Sequence, residues 1–468
     1  MLGEYHLTRD TSTLSLGGLS LTLVGFQSIF RARNFSSAIR VQHDFSPVMV
    51  SLVGMSLLAL ANTILAADNG ANSNSSPDAS DAWDPLTYVD PLIGASNGGN
   101  VFPGASLPYG MAKAVADTNS GSNQGGFTLD GAVVTGFSMM HDSGTGGSPS
   151  LGNFPLFPYA SCPGGDVNAC AYPKKTRAQF GSFTNSSVSA RPGNFGLELT
   201  SGISVAMTAA QHTALFRFTF PPSAQSGQAA QPLILQDLTD LSDSRQDNGS
   251  VSVDAKTGRI TGSARFLPSF ASGNYVLYFC TDFSGSDIVD NGVFVDSRAS
   301  VDVKNLTISR SINGYPLPGG AFVRFKSGAA PILARVATSF VSSEQACSHA
   351  EAEIPDFDFD AVSTAATAAW RQKLSPIKAS TTGVDPSQLT NFYSGIYRTM
   401  INPQNYTGEN PLWKSSEPYF DSFYWLVSAP FCLSCTYREV LRTAIVYGIS
   451  SDHSFLFSPS PIRRRWLR

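Results

Sequence analysis

Carboxylate, amide and imidazole side chains are concentrated in residues 88–158, a segment rich in Gly, Asn, Ser and Pro. Asp117, Asn123 and Gln124 lie in DTNSGSNQGG, and His141 and Asp142 lie in MHDSGTGG. Loops on a rigid scaffold often carry binding residues, and amides and carboxylates beside aromatic rings suit a polyhydroxylated ligand such as a sugar. Two local roles are the alternatives: turn capping for the first run and a structural hydrogen bond at a strand end for the second.

A second candidate set lies near the C-terminal end, where Trp413, Glu417 and Asp421 occur in WKSSEPYFDSFY. A Trp beside carboxylates is a common arrangement for stacking on a sugar. Pro411 and Pro418 predict that this segment is a loop. Plain packing of the Trp is the alternative.

The remaining acidic and imidazole side chains are assigned structural roles. The run QDLTDLSDSRQDNGS lacks the spacing of a calcium loop and is predicted to be a polar loop. Its aspartates are Asp237, Asp240, Asp243 and Asp247. His212 is predicted to be a core or edge histidine of a strand. His349 is predicted to be solvated on a helix, and Glu409 to lie in a turn.

Five long motifs give the chain a family resemblance over residues 88–424. They are VDPLIG, NGGNVFPGASLPYG, DTNSGSNQGGF, GFSMMHDSGTGG and NPLWKSSEPYFDSFY, and together they resemble glycoside hydrolase family 92. These enzymes are calcium-dependent, exo-acting α-mannosidases, and the resemblance is to secreted fungal members. It implies an inverting enzyme that acts on mannose-containing N-glycans, with α-1,2 linkages preferred. The two candidate sets above would then contribute to the sugar pocket, with Asp117, Asn123 and Gln124 on a loop facing the helical barrel.

The catalytic groups are not expected among the residues that match. An inverting glycosidase needs a general acid and a general base about 6.5–9.5 Å apart, with room for water between them. In the resembled family these carboxylates and the calcium ligands lie in the helical barrel, beyond the point where this chain diverges. We therefore assign no catalytic residue and no metal ligand, and expect calcium only in the complete family enzyme. The chain as given is expected to be inactive, and the alternatives are an inactive carbohydrate-binding fragment or a mis-predicted gene product.

Alternating apolar residues and frequent turn signals predict strands from about residue 132 to residue 340. Phe216, Phe218 and Phe220 alternate with polar residues, and a hairpin is predicted to turn at Lys256-Thr257-Gly258. Further strands are predicted at residues 274–279, 321–325 and 332–340. This pattern favours a large antiparallel β-sandwich, which the family resemblance identifies as a galactose-mutarotase-like, carbohydrate-binding sandwich.

The hydrophobic period becomes helical after residue 341. Ser342 and Gln345 form a capping box, Asp360 is predicted to cap a second helix that ends at Leu374, and Asp385 with Pro386 begins a third. The second helix is predicted to carry a stripe of Val362, Ala366, Ala369 and Lys373. Leu389, Tyr393, Ile396 and Met400 follow at helical spacing in the third, which Pro403 ends. The predicted fold class is mainly β with C-terminal α: a sandwich, linker helices and the first part of an incomplete (α/α)6 barrel.

These patterns divide the chain into segments. We assign residues 88–341 to the family 92 N-terminal β-sandwich, 342–384 to linker helices and 385–425 to the start of the helical catalytic domain. Residues 426–468 carry no family motif and are interpreted as an aberrant tail. Residues 1–48 are interpreted as a gene-model extension, 49–67 as a signal-like segment and 68–87 as a disordered linker.

The cellular compartment is predicted from the apolar run 49–67. It resembles the apolar region of a secretory signal and ends in small residues, with a cleavage site near Ala66 or Ala67. A membrane helix is the alternative, but the run is marginal in length and is interrupted by polar residues. The chain is expected to be secreted if Met49 is the true start. With a net charge of −4 and 14% charged residues, the 468-residue chain has no basic field for nucleic acid.

The cysteines and sequons fit a secreted protein. Cys162 and Cys170 flank a short turn that a disulfide could close, and Cys280 and Cys347 could pair across the β domain. A C-x-x-C at Cys432 and Cys435 is not assigned a redox or metal role. Asn-x-Ser/Thr sequons occur at Asn34, Asn74, Asn185, Asn248, Asn305 and Asn405, and the last four are predicted to be glycosylated.

Overall fold

The computed structural model describes several stretches of the chain, and these divide into two units. The stretches are residues 10–16, 19–25, 83–121, 125–141, 151–222, 230–241, 246–267, 274–309, 318–328, 330–401 and 404–409. The first unit spans Met1–Asp81 and contains an antiparallel hairpin of β1 (Asp10–Leu16) and β2 (Leu19–Gly25). The second unit, Ala82–Arg468, contains all the other elements described below. Within the described part of the chain, no helix has both the length and the apolar character needed to span a membrane.

One large antiparallel sheet of the second unit has nine strands. In chain order these are β7 (Ser189–Arg191), β8 (Asn194–Glu198), β9 (Ser204–Ala209), β10 (Thr213–Thr219), β12 (Gln246–Val253), β13 (Ile260–Phe266), β14 (Tyr275–Ser284), β17 (Asn305–Ser309) and β19 (Ile332–Ser339). Their spatial order is β17-β12-β13-β14-β19-β10-β9-β8-β7.

The second sheet has eight strands, and every pair in it is also antiparallel. They are β3 (Ala105–Ser106), β4 (Lys113–Thr118), β5 (Val134–Ser138), β6 (Leu156–Tyr159), β11 (Leu233–Asp237), β15 (Ile288–Val295), β16 (Arg298–Ser300) and β18 (Gly319–Phe325). Their spatial order is β16-β15-β18-β11-β6-β5-β4-β3.

Aromatic contacts join the two sheets face to face. The ring of Phe137 on β5 lies 6.1 Å from that of Phe218 on β10, and Phe283 on β14 lies 5.5 Å from Phe325 on β18. All strand pairs are antiparallel and the core lies between the sheets, so the predicted β-sandwich is confirmed. Burying aromatic rings of this size is a dominant source of stability in such a core.

Local sequence accounts for the strand register. Phe216 and Phe218 are fully buried while Arg217 between them is half-buried, as the alternation predicts. The predicted hairpin joins β12 to β13. Its turn is held by Asp254, whose carboxylate accepts hydrogen bonds from the Lys256 and Thr257 amides.

The helices begin close to the predicted residues. The α-helices are α1 (Lys174–Arg177), α2 (Ser343–Glu353), α3 (Phe359–Leu374) and α4 (Pro386–Thr399). Short 3-10 helices lie at Pro85–Tyr88, Pro163–Gly165, Val167–Ala169, Ala178–Phe180 and Asn185–Ser187. Ser342 caps α2 by accepting from the Gln345 amide, and Asp385 caps α4 by accepting from the Ser387 amide, as predicted.

The prediction for α3 was wrong in two respects. Its N-cap is Asp358, which accepts from the Ala361 amide, and Asp360 lies inside the first turn. The buried stripe is Phe359, Ala366, Trp370 and Leu374, whereas Lys373 is exposed. The large Trp370 ring sets the buried face and rotates it away from the smaller alanines.

Helices α3 and α4 are fastened to the sandwich by buried side chains. The Trp370 indole donates to the Ser106 carbonyl at 2.6 Å and packs against Tyr397 of α4, with ring centroids 4.3 Å apart. Arg398 of α4 donates to the carbonyls of Pro91 and Ile93 in the VDPLIG motif. That motif therefore serves as the docking segment for α4.

Both predicted disulfides are present: Cys162–Cys170 and Cys280–Cys347. The first closes a short loop before α1. The second joins β14 to α2, so the first helix after the sandwich is covalently attached to the nine-stranded sheet. The cysteines at positions 432 and 435 lie outside the described residues.

The two disulfides should differ in their effect on stability, because a cross-link restricts the unfolded chain more when it closes a longer loop. The sequence separations are 67 residues for Cys280–Cys347 and 8 for Cys162–Cys170. Replacing the first pair by alanine should lower the free energy of unfolding by about 4 kcal/mol, and replacing the second by about 2.5 kcal/mol. Chemical denaturation of the two double variants measures this. A larger loss for the Cys162–Cys170 pair would contradict it.

Candidate functional site

The candidate site is built where two neighbouring strands of the eight-stranded sheet end. Asp117 lies near the end of β4, Ser138 is the last residue of β5, and His141 follows three residues later. Each of these side chains is at most 2% exposed. The pairing of β4 with β5 places Ala116 opposite Phe137, so the polar ends of both strands converge on one point.

His141 is held through both of its ring nitrogens. Nδ1 lies 2.7 Å from the Lys113 carbonyl oxygen, which can only accept, and Nε2 lies 2.7 Å from Asp117 Oδ1. Ser138 Oγ donates to the same Oδ1 at 3.0 Å and lies 3.1 Å from Nε2. Both ring nitrogens therefore face oxygen atoms of the chain. The second carboxylate oxygen, Asp117 Oδ2, has no hydrogen-bond partner among the described residues.

This group of Ser, His and Asp is not arranged for nucleophilic catalysis. A catalytic triad places the carboxylate on one ring nitrogen and the hydroxyl on the other. Here Asp117 and Ser138 share Nε2 of His141, and the other nitrogen is taken by a carbonyl. The cluster therefore fixes the ends of β4 and β5 relative to each other.

Glycine backbone closes around the pair. A Cβ at Gly126, where φ is +93°, would lie 2.4 Å from His141 Cδ2, and a Cβ at Gly152 would lie 2.8 Å from Asp117 Oδ1. The Phe102 ring stacks on the imidazole with centroids 5.8 Å apart. Glycine is required at Gly126 both for its positive φ and for this close approach.

The structure brings two of the sequence-predicted site residues together. Asp117 was predicted to lie in a loop, which was wrong, because it is a buried residue of β4. His141 does sit at a strand end, and its partner is Asp117. The other predicted site residues lie outside the described residues, namely Asn123, Gln124, Asp142, Trp413, Glu417 and Asp421.

The predicted polar loop around Asp237 was also wrong for the aspartates that the structure describes. Asp237 ends β11 and forms a buried ion pair with Arg177, which also donates to the Thr135 and Tyr172 carbonyls. Asp240 is likewise buried, because the segment passes under α1 instead of into solvent. Asp243 lies outside the described residues, and Asp247 belongs to β12.

A second polar cluster lies where α2 meets the nine-stranded sheet. His212, in the turn between β9 and β10, lies with Nδ1 2.6 Å from Glu353 Oε1. The rings of His212 and His349 stack 4.1 Å apart at 11°. His349 Nε2 lies 2.8 Å from Glu409 Oε1.

Three predictions in this cluster were wrong. His349 is not freely solvated, since its side chain is 22% exposed and contacts the carboxylate of Glu409. Glu409 does more than form a turn. It is fully buried and accepts hydrogen bonds from Ser339 Oγ, the Phe340 amide and Gln345. His212 is partly buried, but it lies in the turn between two interior strands, β9 and β10, and not in an edge strand as predicted.

Burial and the contact with His212 shift the pKa of the Glu353 carboxyl in opposite directions. Burial by itself raises the pKa of Glu353, but the hydrogen bonds from His212 outweigh it and hold the pKa below its usual value. Glu353 is therefore a carboxylate at neutral pH, and it fixes the orientation of the His212 ring.

The donor atoms of this second cluster do not fit calcium. Calcium takes six to eight oxygen ligands, whereas His212, His349 and Glu409 offer two imidazole nitrogens and one carboxylate. Among the described residues, this is the one group of three or more His, Cys, Asp or Glu side chains whose geometry could hold a metal ion. We therefore assign this cluster no role in binding calcium.

Sequence reasoning did not identify Ser138 or Glu353. Ser138 lies three residues before His141, and that short spacing at a strand end is a signal that could have included it. His212 and Glu353 are separated by 141 residues, and no local pattern links them. Only the fold brings them together.

All four sequons predicted to be glycosylated are exposed. Asn185 lies in a 3-10 helix, Asn248 and Asn305 lie on neighbouring strands β12 and β17, and Asn405 follows α4. Exposure is a requirement for enzymatic glycosylation.

Comparison with known proteins gives two matches to protein-family models. The glycosyl hydrolase family 92 N-terminal domain matches residues 88–339, and the glycosyl hydrolase family 92 catalytic domain matches residues 345–439. The first covers the two large sheets. The second begins in α2, within the segment predicted to be linker helices, and it runs past residue 425, where the resemblance was expected to stop.

Individual relatives point to the same family. An uncharacterized secreted glycosidase of Arthroderma benhamiae is 48% identical over 361 residues, which are 76% of this chain and 46% of the relative. A family GH92 alpha-mannosidase of Bacteroides thetaiotaomicron superposes with a TM-score of 0.58 at 21% identity, over 70% of this chain and 42% of the other. A family GH92 inverting mannosidase of B. thetaiotaomicron gives 0.57 at 22% identity, over 73% and 43%. The chain thus spans less than half the length of these proteins.

Replacing Gly126 by alanine should disturb the His141–Asp117 pair, because the new methyl group would clash with the imidazole at an unfavourable φ. The free energy of unfolding should fall by at least about 2 kcal/mol. Gly121→Ala is the matched control, since a Cβ there meets nothing within 4 Å. Denaturant unfolding of both variants measures the difference. Equal stabilities would show that the close approach at Gly126 is unimportant.

Proposed function

The chain belongs to glycosyl hydrolase family 92, and from this membership we propose that the protein is an exo-acting α-mannosidase. The observation that carries the proposal is the ordered match of both family domains to one chain, N-terminal domain first and catalytic domain second. The sandwich and the docked helices that follow it agree with that order.

The proposed substrates are mannose-terminated N-glycans, with α-1,2 linkages preferred and inversion at the anomeric carbon. The names of the structural neighbours support mannose as the sugar, and one of them is an inverting enzyme. Secretion is part of the proposal, because the curated relative is called secreted and because a signal-like run precedes the sandwich. An enzyme of this kind would meet its glycans outside the cell.

The proposed role of the sandwich is to form one wall of the sugar pocket. The buried pair of Asp117 and His141 fixes the ends of β4 and β5, and the polar runs containing Asn123, Gln124 and Asp142 follow these ends in sequence. Amide and carboxylate groups on such runs would hydrogen-bond the hydroxyls of mannose. Trp413, Glu417 and Asp421 are proposed to contribute from the helical side.

The general acid and base are proposed to lie in the helical domain. An inverting reaction needs one carboxyl group to protonate the leaving oxygen and another to activate water on the opposite face of the ring. The buried carboxylates of Asp117, Asp237 and Glu409 are held by His141, Arg177 and His349 respectively. We assign none of them to either role, because each serves a structural contact.

Calcium dependence is proposed for the complete enzyme. Calcium would coordinate sugar hydroxyls and assist distortion of the ring toward the transition state. The described residues do not supply the oxygen-rich set that this ion prefers, so its ligands are proposed to lie elsewhere in the helical domain.

Mannose release tests the proposal directly. An enzyme with a complete helical domain, incubated with α-1,2-, α-1,3- and α-1,6-linked mannobiose, is expected to release mannose fastest from the α-1,2 isomer, and proton NMR should show the β-anomer first. A chelator should stop the reaction, and calcium should restore it. Asn123→Ala and Gln124→Ala should each lower kcat/KM about 3- to 10-fold, as expected for a lost hydrogen bond to a neutral hydroxyl.

Asp302→Asn is the control for that assay, because Asp302 is exposed on the turn after β16. Its kcat/KM should equal that of the unmodified chain. Mannobiose binding without mannose release would favour an inactive carbohydrate-binding fragment. Absence of both mannobiose binding and mannose release would overturn the proposal for this chain.

Secretion and glycosylation make a separate prediction. Expression from Met49 in a eukaryotic host should place the protein in the medium, and peptide-N-glycosidase should reduce its apparent mass. Asn185→Gln, Asn248→Gln, Asn305→Gln and Asn405→Gln should each remove one glycan, as counted by intact-mass spectrometry. Retention in the cell with no glycan at these exposed positions would contradict the proposed localisation.

A further inference from the structure

We propose that His212, His349 and Glu409 form a binding site for a divalent transition-metal ion, with zinc as the best match. The proposal is independent of the mannosidase activity and of its calcium. The site lies where the sandwich, α2 and the segment after α4 meet.

Three distant parts of the chain supply the ligand atoms. His212 comes from the turn between β9 and β10, His349 from α2, and Glu409 from residues 404–409. One ligand atom from each residue lies within 4.8 Å of the other two. A tetrahedral zinc site with ligand distances near 2.1 Å has its ligand atoms about 3.4 Å apart. The His349 and Glu409 atoms, now 2.8 Å apart, would therefore separate slightly, the more distant atoms would approach, and the two stacked rings would tilt toward one ion.

His212 is already oriented as a metal ligand. Its Nδ1 donates to Glu353 Oε1 at 2.6 Å, and its amide donates to Oε2 of the same carboxylate at 2.8 Å. The proton is thereby held on Nδ1, and the lone pair is left on Nε2. That Nε2 is buried and has no hydrogen-bond partner. A carboxylate behind a metal-binding imidazole is the arrangement that fixes the tautomer and strengthens the ligand.

Glu409 supplies a buried negative charge. Its Oε2 accepts from the Phe340 amide at 2.6 Å and from Ser339 Oγ at 2.9 Å, which fixes the carboxylate in the cleft. Its Oε1 faces His349 Nε2 and the Gln345 amide group. A buried carboxylate needs a compensating charge, and a divalent cation placed between Oε1 and the two imidazoles would provide it.

The donor set selects the kind of metal. Two imidazoles and one carboxylate suit zinc and its neighbours in the first transition row, and they do not suit calcium or magnesium. Water would complete the fourth position, since His212 and His349 are 14% and 22% exposed at the rim.

The metal would add a link between segments that side-chain contacts already bring together. Helix α2 is attached to β14 by the Cys280–Cys347 disulfide, but residues 404–409 reach the same helix through Gln345, His349 and Glu409. A cation at this point would clamp the beginning of the helical region onto the sandwich.

Zinc titration of the untagged 468-residue chain tests the site. Cys432→Ser and Cys435→Ser are introduced throughout so that the C-x-x-C cannot compete. Competition with a zinc-sensitive dye, with metal counted by plasma mass spectrometry, should give one zinc per chain. His212→Gln and His349→Gln should each raise the Kd at least about 100-fold, and Glu353→Gln should raise it about 10- to 100-fold as the supporting carboxylate.

Glu198→Gln, an exposed carboxylate change on β8, is the control and should leave the zinc Kd unchanged. Cobalt(II) added to the unmodified site provides a second readout, since visible absorption of tetrahedral intensity reports imidazole and carboxylate ligation without requiring a variant to fold. Absence of saturable zinc binding would overturn the proposal. A zinc affinity in either histidine variant equal to that of the unmodified site would also overturn it. Octahedral-type cobalt absorption that persists in those variants would also overturn it.

Discussion

The rest of the structure depends on the buried contact between the His141 imidazole and the Asp117 carboxylate. Removing a charge from water is costly unless it is paired and hydrogen-bonded, so neither side chain can be buried without the other. Their 2.7 Å contact fixes the end of β4 against the chain leaving β5. Gly126 and Gly152 close over the pair because no larger residue fits. The ends of β4 and β5 are therefore fixed at one buried point.

The helices after the sandwich are fastened by a different set of contacts. Trp370 reaches back to the Ser106 carbonyl, and Arg398 holds the carbonyls of the VDPLIG motif. The stacked rings of His212 and His349 form the corresponding contact on the nine-stranded sheet. The sandwich thus serves as a platform for the helical region as well as a domain with its own core.

Local patterns in the sequence indicated most of the strands, the N-caps of α2 and α4, and both disulfides. Phe216 and Phe218 show the alternation of a strand with one buried face, and Ser342 and Asp385 carry the chemistry of helix N-caps. Asp117 was misplaced because β4 is buried along its whole length. A strand of that kind lacks polar alternation and looks like part of the glycine-rich run beside it.

Contacts between distant segments could not be predicted in the same way. His212 meets Glu353 across 141 residues, and Glu409 meets His349 across 60. Each residue alone resembled an ordinary surface or turn position. The family motifs did locate the polar runs, but they gave no information on which side chains within them would be buried.

Hydrogen–deuterium exchange with and without α-1,2-mannobiose tests the central claim, that the polar runs following β4 and β5 form one wall of a mannose pocket. The account predicts that the sugar slows exchange in peptides covering residues 119–126 and 142–150, while the strands β12, β13 and β17 at the far side of the other sheet are unchanged. Slowed exchange confined to other parts of the chain, with both runs unaffected at saturating sugar, would contradict it.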